Sequence, residues 1–384
     1  MKLAFQLAYK NLIGAGLRTW LNVGVLAFCF IIIVFFNGIY SGWNNQAKSD
    51  SIKWQYGFGE LRHPEFNPLD PFSIADGHGV VPEVNDAVPI FLQQASIFPD
   101  NRMISILMKG IPVDQQLLEI PSFKLEDNSG ELQGLIGMKM AKASGLEEGD
   151  EVIIRWRDSN GAFDARPIKI THIFDTSVPT VDAGQVWISL KKLQELTGYE
   201  NHASYLVADK NFNSESYNSG WTWVSQQGLL QSITDLINSK RAGGAFMYIF
   251  LLGIALLALF DTQVLAIFRR QREIGTYIAL GMTRWQVLKI FTIEGAMYSL
   301  FASIIGTLVG FPLMYFLNHY GIPMPMGDQN LGVAMTERMY PSYGLALFIG
   351  TILLLVVSAT LVSFLPSRKI VHMDPVDALK GKMQ

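Results

Sequence analysis

The sequence is poor in cysteine and in charge. Its single cysteine, Cys29, lies inside an apolar run, so one chain can form neither a disulfide framework nor a thiolate metal site. Charged residues make up only 16% of the chain and the formal net charge is −3. The dense basic face that nucleic-acid binding needs is therefore missing. We expect no nucleic-acid partner, and any folded part must hold together by packing.

The sequence also lacks the motifs of several enzyme classes. It has no G-x-x-x-x-G-K-[ST] segment, so no backbone cradle for nucleotide phosphates is predicted. Its 6 histidines are scattered without an H-E-x-x-H pair, and no serine lies in G-x-S-x-G. We predict no catalytic residues, no metal site and no cofactor bound by this chain itself.

Apolar residues, in contrast, are abundant: 49% of the chain is hydrophobic and the mean hydropathy is +0.24. Stretches of this kind need roughly 20 residues to span a bilayer as a helix. Four are predicted, over residues 19–42, 244–268, 290–317 and 343–365. The first could instead be a cleaved signal peptide, but its apolar run is too long and no A-x-A-like site follows it.

Lysine and arginine concentrate before the first span, between the second and third spans, and after the fourth. The positive-inside rule therefore places both termini in the cytoplasm. The fold class predicted is an α-helical membrane protein with four transmembrane helices in a 1+3 arrangement and a large α+β extracytoplasmic domain. The remaining segments are a cytoplasmic amphipathic interfacial helix (1–18), the extracytoplasmic domain (43–240), a cytoplasmic coupling loop (269–289), an extracytoplasmic loop (318–342) and a cytoplasmic tail (366–384).

The extracytoplasmic domain carries strand and helix patterns. β-Branched residues and partial alternation predict strands at 151–156, 167–174 and 185–190. Short helices are predicted at 138–144, 190–196 and 226–239, the last running directly towards the second span. Four apolar residues in this domain belong either to its core or to a lipid-contacting surface, and general burial habits favour the core: Phe91, Leu92, Ile97 and Phe98.

Polar and small residues stand out inside the spans. Asp261 lies about 12 Å of helical rise before Arg269 and is interpreted as a structural polar contact, with a proton relay as the alternative. Glu294, near the start of the third span, is interpreted in the same way. Three small residues at four-residue spacing predict close approach of a neighbouring helix, either from this chain or from a second copy: Ala302, Gly306 and Gly310.

The cytoplasmic segment RRQREIGTYIALGMTRWQVLK (269–289) carries the clearest pattern. Ile274, Ile278 and Met282 recur every four residues, which predicts an apolar ridge on a short helix that inserts into a partner's groove. Gly281 is placed to end that helix before Thr283 starts the next one. The residues predicted to contact the partner are Arg272, Glu273, Ile274, Gly275, Ile278, Ala279, Leu280, Gly281, Met282, Thr283 and Arg284. The alternative is a basic loop that only anchors two spans.

This segment resembles the permease family that includes FtsX, MacB and the pair LolC and LolE, in which an R-x-R-E-I-G…A-L-G motif occupies the same place. The ending PSRKIVHMDPVDALK (366–380) is similar to that family's P-x-R…D-P-V-x-A-L-R pattern. A looser likeness to the periplasmic core of MacB-type members covers GMKMAKASGLEEGDEV (137–152) and Asp182. The topology with four spans matches the MacB type, but without a fused ATPase domain.

The resemblance implies the permease subunit of an ATP-binding-cassette (ABC) transporter in a bacterial inner membrane. Its expected partners are a cytoplasmic ABC ATPase dimer that binds ATP and Mg, a second permease subunit, and a periplasmic adaptor or lipoprotein. The expected activity is mechanical export or extraction of an amphiphilic substrate: a lipoprotein, peptide, lipid or antibiotic. Two alternatives are an FtsX-like signalling subunit that activates a cell-wall hydrolase, and a receptor or scaffold that never meets an ATPase.

Overall fold

The computed structural model describes residues 16–84, 86–125, 130–213, 220–323 and 338–372. Most of the predicted interfacial helix, part of the 318–342 loop and the D-P-V-x-A-L segment lie outside these residues. The described helices are α1 (Leu17–Ser51), α2 (Met138–Ser144), α3 (Pro179–Asp182), α4 (Leu190–Thr197), α5 (Gln226–Arg269), α6 (Gln271–Ala279), α7 (Arg284–Tyr320) and α8 (Leu345–Ser367).

The described strands form one large sheet and two short pairs. They are β1 (Gly59–Arg62), β2 (Gly79–Val80), β3 (Ala87–Ile97), β4 (Ile104–Ile111), β5 (Leu132–Gly137), β6 (Glu151–Arg157), β7 (Phe163–Phe174), β8 (Gln185–Ser189), β9 (His202–Ala203), β10 (Tyr205–Ala208), β11 (Thr222–Ser225), β12 (Ile322–Pro323) and β13 (Arg338–Met339). Strands β2 and β9 pair with each other, as do β12 and β13.

Four helices, α1, α5, α7 and α8, are long and apolar enough to cross a membrane. One precedes the β-rich region and three follow it. The chain divides into two compact units, a helical unit of residues 1–43, 237–322 and 339–384 and a β-rich unit of residues 44–236 and 323–338. Helix α5 runs without a break from Gln226 to Arg269, so the predicted helix at 226–239 is continuous with the second apolar segment.

The β-rich unit is built on a closed ring of strands. Its sheet has the order β11-β1-β10-β3-β4-β8-β5-β7-β6, and β3 also pairs with β6. The ring exists because β3 is long enough to pair with β10 through residues 87–90 and with β6 through residues 95–97. Six strands, β3, β4, β8, β5, β7 and β6, thus form a small barrel, to which β10, β1 and β11 are attached as an arm.

Alternation along the strands fills the barrel. In β6 the residues Val152, Ile154 and Trp156 are buried, while the residues between them are exposed. A small barrel is stable only when its interior is filled by such side chains. Phe91, Leu92 and Ile97 are likewise buried, which favours the core interpretation of the apolar group that contains them. The indole of Trp156 donates a hydrogen bond to the Leu196 carbonyl at 3.1 Å and so holds α4 against β6.

The three strands and the two isolated short helices predicted from the sequence are confirmed. Residues 137–152, which resemble the periplasmic core of MacB-type members, contain α2. The residue before α2 is Gly137, and the closeness of Asp182 leaves no room there for a side chain. The Oδ1 atom of Asp182 accepts a hydrogen bond from the Lys139 backbone N–H at 2.8 Å, at the start of α2. A Cβ atom at Gly137 would lie 2.1 Å from that oxygen and 2.6 Å from the Asp182 Cα. Burial raises the pKa of the Asp182 carboxyl.

A second buried polar group, Lys109, lies in β4. Its Nζ donates to the Thr180 carbonyl at 3.3 Å and lies 4.8 Å from the ring centroid of Trp187. Burial lowers the pKa of Lys109 to about 7, although the carboxylate of Glu60 opposes that shift. Glu60 itself is buried and accepts a charged hydrogen bond from Arg62 at 2.7 Å. The core of the β-rich unit therefore holds a lysine whose protonated form lowers the stability of the folded state.

The helical unit packs through small residues. A Cβ atom at Gly306 would lie 2.7 Å from the Phe30 ring, and one at Gly310 would lie 3.2 Å from Ile31 Cγ1. Ala302, on the same face, is fully buried. The helix that approaches the α7 stripe is therefore α1 of the same chain. Gly38, on α1, would meet the Tyr343 ring at 2.1 Å, so a further close contact lies where the sequence analysis did not place one.

The Gly137 contact yields a stability prediction. Gly137→Ala should lower the stability of the purified full chain by about 1–3 kcal/mol, because the added methyl group forces the Asp182 backbone to move. Gly130→Ala is the matched control, since no atom of the described residues lies within 4 Å of its Cβ position. Melting temperatures of the two variants in the same detergent measure the difference. Equal values would contradict the contact.

Lys109 yields a pH prediction. Folding lowers its pKa, so the unfolded chain binds more protons between about pH 7 and pH 10, and the stability of the wild type should rise with pH across that window. Lys109→Met removes this dependence and should raise the melting temperature more at pH 7 than at pH 9.5. The exposed Lys169, paired with Glu131, provides the control variant Lys169→Met. An unchanged pH slope in Lys109→Met would refute the prediction.

Candidate functional site

The turn between α5 and α7 is a compact helical hairpin on the segment singled out by its motif. Gly281 adopts a φ of 94°, and Thr283 begins the next helix as its N-cap. The Thr283 hydroxyl accepts a hydrogen bond from the Gln286 N–H at 3.3 Å, and the Gln286 side chain accepts one from the Thr283 N–H at 2.8 Å. This capping box fixes where α7 starts. The predicted roles of Gly281 and Thr283 in ending and starting helices are confirmed.

The inner face of α6 is apolar and packs against its own chain. Ile274 is fully buried in a cluster with Ile267, Val287, Phe291 and Ile370. Tyr277, Ile278 and Met282 are partly buried against the same cluster. The prediction that Ile274, Ile278 and Met282 form an outward ridge for a partner is therefore wrong. The four-residue spacing did indicate the apolar side of α6. That side, however, packs into a groove formed by other residues of the same chain. Gly275 is buried as well.

Arg270 joins the three helices of the hairpin. Its Nε donates to the Glu273 carboxylate at 2.7 Å, and its Nη1 donates to the Glu294 carboxylate at 2.9 Å. The guanidinium also lies 4.8 Å from the ring centroid of Phe291. Glu294 is only 3% exposed, and a buried carboxylate of this kind is stable only when a cation pairs with it. Arg270 thus links the end of α5 to α6 and to α7.

A further contact ties the hairpin to the segment after α8. The Arg284 guanidinium donates to the Val371 carbonyl at 3.1 Å. Ile370 lies in the apolar cluster beside it. The second family-like segment, which begins at Pro366, therefore meets the first one in space.

The outer face of the hairpin is exposed and mixed in character. Leu280 is 79% exposed and Trp285 is 59% exposed, which is unusual for two large apolar side chains. The other exposed residues of this face are polar or small: Arg272, Glu273, Thr276, Ala279, Gly281, Thr283 and Arg284. We call Leu280, Trp285 and these seven residues the outer patch. It contains seven of the eleven residues predicted to contact a partner.

The two acids predicted inside the spans have different environments. Glu294 has the structural polar contact that was expected, with Arg270. Asp261 is exposed on α5 and has no hydrogen bond or ion pair with another described residue. Its neighbour Thr262, in contrast, accepts a hydrogen bond from Asn22 of α1 at 2.5 Å. The described residues therefore supply no polar contact for Asp261, and its structural role stays a prediction.

Three features of the helical unit were not predicted from the sequence. Arg270 is one of three arginines between residues 269 and 272. Only its contact with the buried Glu294 distinguishes it from the other two. Trp285 was assigned no role from the sequence. Gln263 and Ser363 are fully buried, and both approach the Cβ position of Gly295 on α7, at 3.3 Å and 1.9 Å respectively. Among the described residues, no group of three or more His, Cys, Asp or Glu side chains is arranged to hold a metal ion.

Comparison with known proteins places this hairpin in a family. Residues 245–375 match the model of the FtsX-like permease C-terminal family. The macrolide export ATP-binding/permease protein MacB of Marinobacter nauticus is 28% identical over 122 residues, which cover 32% of this chain and 16% of that protein. These matches support an ABC transporter permease of the FtsX/MacB family, and the predicted family is confirmed.

The Arg270 contacts yield a third prediction. Glu294→Ala leaves the guanidinium half-paired in a buried place and should destabilise the chain by about 3 kcal/mol. Glu273→Ala removes the exposed partner of the same arginine and should cost less than about 1 kcal/mol. The melting temperatures of the two purified variants test the order. Equal losses would show that Glu294 is not the main partner of Arg270.

Proposed function

We propose that this chain is the transmembrane subunit of an ABC transporter whose separate ATPase subunits bind the outer patch. ATP hydrolysis on those subunits would then move the β-rich domain on the other side of the membrane. The permease family supports the transporter class and suggests a subunit that is not itself catalytic. The exposure of Leu280 and Trp285 on the hairpin is the observation that carries the assignment of the binding surface.

The composition of the outer patch suits a protein partner. Protein interfaces are anchored by a few large side chains, with tryptophan and arginine enriched among them. Trp285 and Leu280 supply apolar anchors, and Arg272, Glu273 and Arg284 lie around them as charged groups. A short helix presented in this way fits a groove on its partner.

The inner face of the hairpin supports the transmission of force. Because Ile274 is buried between residues of α5, α7 and the segment after α8, a push on α6 acts on all three. Arg270 adds charged hydrogen bonds to the same contacts. Helix α5 then continues unbroken to Gln226, at the end of the β-rich region. ATPase closure at the patch would tilt these helices and move the extracytoplasmic domain.

The assembly that we propose contains two membrane subunits and an ABC ATPase dimer that binds ATP and Mg. It lies in a bacterial inner membrane with both chain termini in the cytoplasm. Its substrate would be an amphiphile, such as a lipoprotein, peptide, lipid or antibiotic, that is exported or extracted with the help of a periplasmic adaptor or lipoprotein.

The proposal is tested by purifying the tagged chain from the membranes of its source organism. We expect an ABC ATPase to copurify, and Leu280→Asp combined with Trp285→Ala to reduce its recovery at least tenfold, since both apolar anchors are lost. Mass spectrometry and ATP hydrolysis in the eluate measure the partner.

Phe163→Asp is the control, because Phe163 is similarly exposed, at 71%, but lies in the β-rich domain. It should leave recovery unchanged. Full recovery with the double variant would contradict the patch as the binding surface. Absence of any ABC ATPase from the wild-type eluate would contradict the proposed function.

A further inference from the structure

Three of the 6 histidines, far apart in the sequence, come together in the β-rich unit. The Nδ1 atoms of His78 and His202 lie 2.9 Å apart, within hydrogen-bond distance. His63 lies close by, because its Nε2 atom is 3.0 Å from the position that a Cβ atom would take at Gly79. All three imidazoles therefore lie beside the short strand β2, which begins at Gly79.

The contact between His78 and His202 limits how many protons the two rings can bind. In a pair of neutral imidazoles, one Nδ1 carries a hydrogen and the other a lone pair, so one N–H···N hydrogen bond joins them. A first added proton can leave that bond intact. A second one places a hydrogen on both Nδ1 atoms and a positive charge on both rings. The hydrogen bond is then lost and the rings repel each other.

Aromatic side chains enclose this pair. The ring centroid of His78 lies 4.3 Å from that of Tyr199 and 5.2 Å from that of Phe91. The ring of His202 stacks on the other ring of this group, Tyr199, at 5.4 Å. Phe91 is fully buried and belongs to the barrel core. An added charge at the pair is therefore poorly solvated.

The electrostatic environment acts in the same direction. Burial lowers the pKa of both His78 and His202, and a protonated His63 lowers the pKa of each further. Protonated His202 also lowers the pKa of His78. A backbone hydrogen bond with Ala75 and the carboxylate of Asp76 oppose these effects at His78, without cancelling them. The folded pair therefore binds protons less readily than separated histidines do.

The pair also lies where it can control a short segment. We call residues 75–84 the strap. Strand β2 of the strap pairs with β9 through only two residue pairs. Next to them, the Val81 N–H donates a hydrogen bond to the Asn201 carbonyl at 2.7 Å. The strap is thus held to β9 by a few backbone contacts and by the ring of His78 against that of His202.

The two sides of this contact are not held equally. The His202 carbonyl accepts a hydrogen bond from the Gln194 side chain at 2.9 Å, which fixes β9 to α4. The residues before the strap have their own attachment, since the Gln94 side chain donates to the Pro71 carbonyl at 2.7 Å. If the two imidazoles separate, the strap is therefore the part that moves.

We propose that the His78–His202 pair is a pH-sensitive latch, whose second protonation releases the strap from β9 and gives water access to the Phe91 ring. The inference goes beyond the proposed function and does not rest on it, because every contact that carries it lies within the β-rich unit.

The direction of the pH effect follows from the proton count. With the strap open, both rings titrate near the ordinary histidine pKa of about 6.5. The closed pair binds fewer protons, so opening becomes more favourable as the pH falls below that value. For a difference of one proton, the opening equilibrium constant rises about tenfold per pH unit.

Hydrogen–deuterium exchange of the purified full chain in detergent, followed by mass spectrometry, tests the latch. After correction for the intrinsic pH dependence of exchange, the protection of residues 77–84 should fall about tenfold between pH 6.5 and pH 5.5. A peptide over β6, residues 151–157, should keep its protection, since only the strap opens. Constant protection of the strap would overturn the proposal. A parallel loss in β6 would do so too, because it would mean that the whole unit unfolds in acid.

Asparagine variants test the two histidines. His78→Asn places a neutral amide near the position of Nδ1, where it can still hydrogen-bond to His202 without titrating, and should remove the tenfold fall. His202→Asn should do the same while the His78 ring stays against Phe91, so it decides the question if His78→Asn leaves the strap open at every pH. His172→Asn is the control, since His172 pairs with Glu148 at 2.7 Å. It should keep the fall.

An undiminished fall in His202→Asn would refute the latch. Loss of the fall in His172→Asn would refute it as well, because the pH dependence would then come from another histidine.

Discussion

The contacts of Arg270 are the constraint on which the hairpin between α5 and α7 depends. One guanidinium pairs with Glu294 on α7 and with Glu273 on α6, and it lies over the Phe291 ring. The buried Glu294 carboxylate would be unstable without this partner. Separating the end of α5 from the start of α7 therefore costs free energy. The hairpin between them is consequently a fixed part of the helix bundle and not a loose loop.

The hairpin has two faces of different character. Its inner face, around Ile274, is a small hydrophobic core, and its outer face carries the exposed side chains Leu280 and Trp285. In the proposed function, a helix that packs on one side and is accessible on the other receives a force from the partner and transmits it to the helices behind it. The family-like pattern of the segment thus has a physical basis. Gly281 lies in the turn after α6, Thr283 caps the start of α7, and Ile274 packs α6 against the helices behind it.

Much of this fold could be predicted because local patterns determine it. Alternation in 151–156 and β-branched residues in 185–190 specified strands, and the Gly281–Thr283 spacing specified a break between helices. What could not be predicted depends on contacts between distant residues. The spacing of Ile274 and Ile278 indicates that one side is buried, but the sequence does not state which chain buries it. The pairing of Arg270 with Glu294, and the closure of the barrel by β3 and β6, are long-range contacts of the same kind.

The closed barrel has a consequence for how extended peptides can bind the β-rich domain. A strand added to a sheet needs an unpaired edge, where backbone N–H and C=O groups are free. Pairing of β3 with β6 removes one edge of the large sheet, so among the described residues that sheet ends only at β11, Thr222–Ser225. The terminal strand that could pair with an added polypeptide along its whole free edge is therefore the strand from which α5 directly starts.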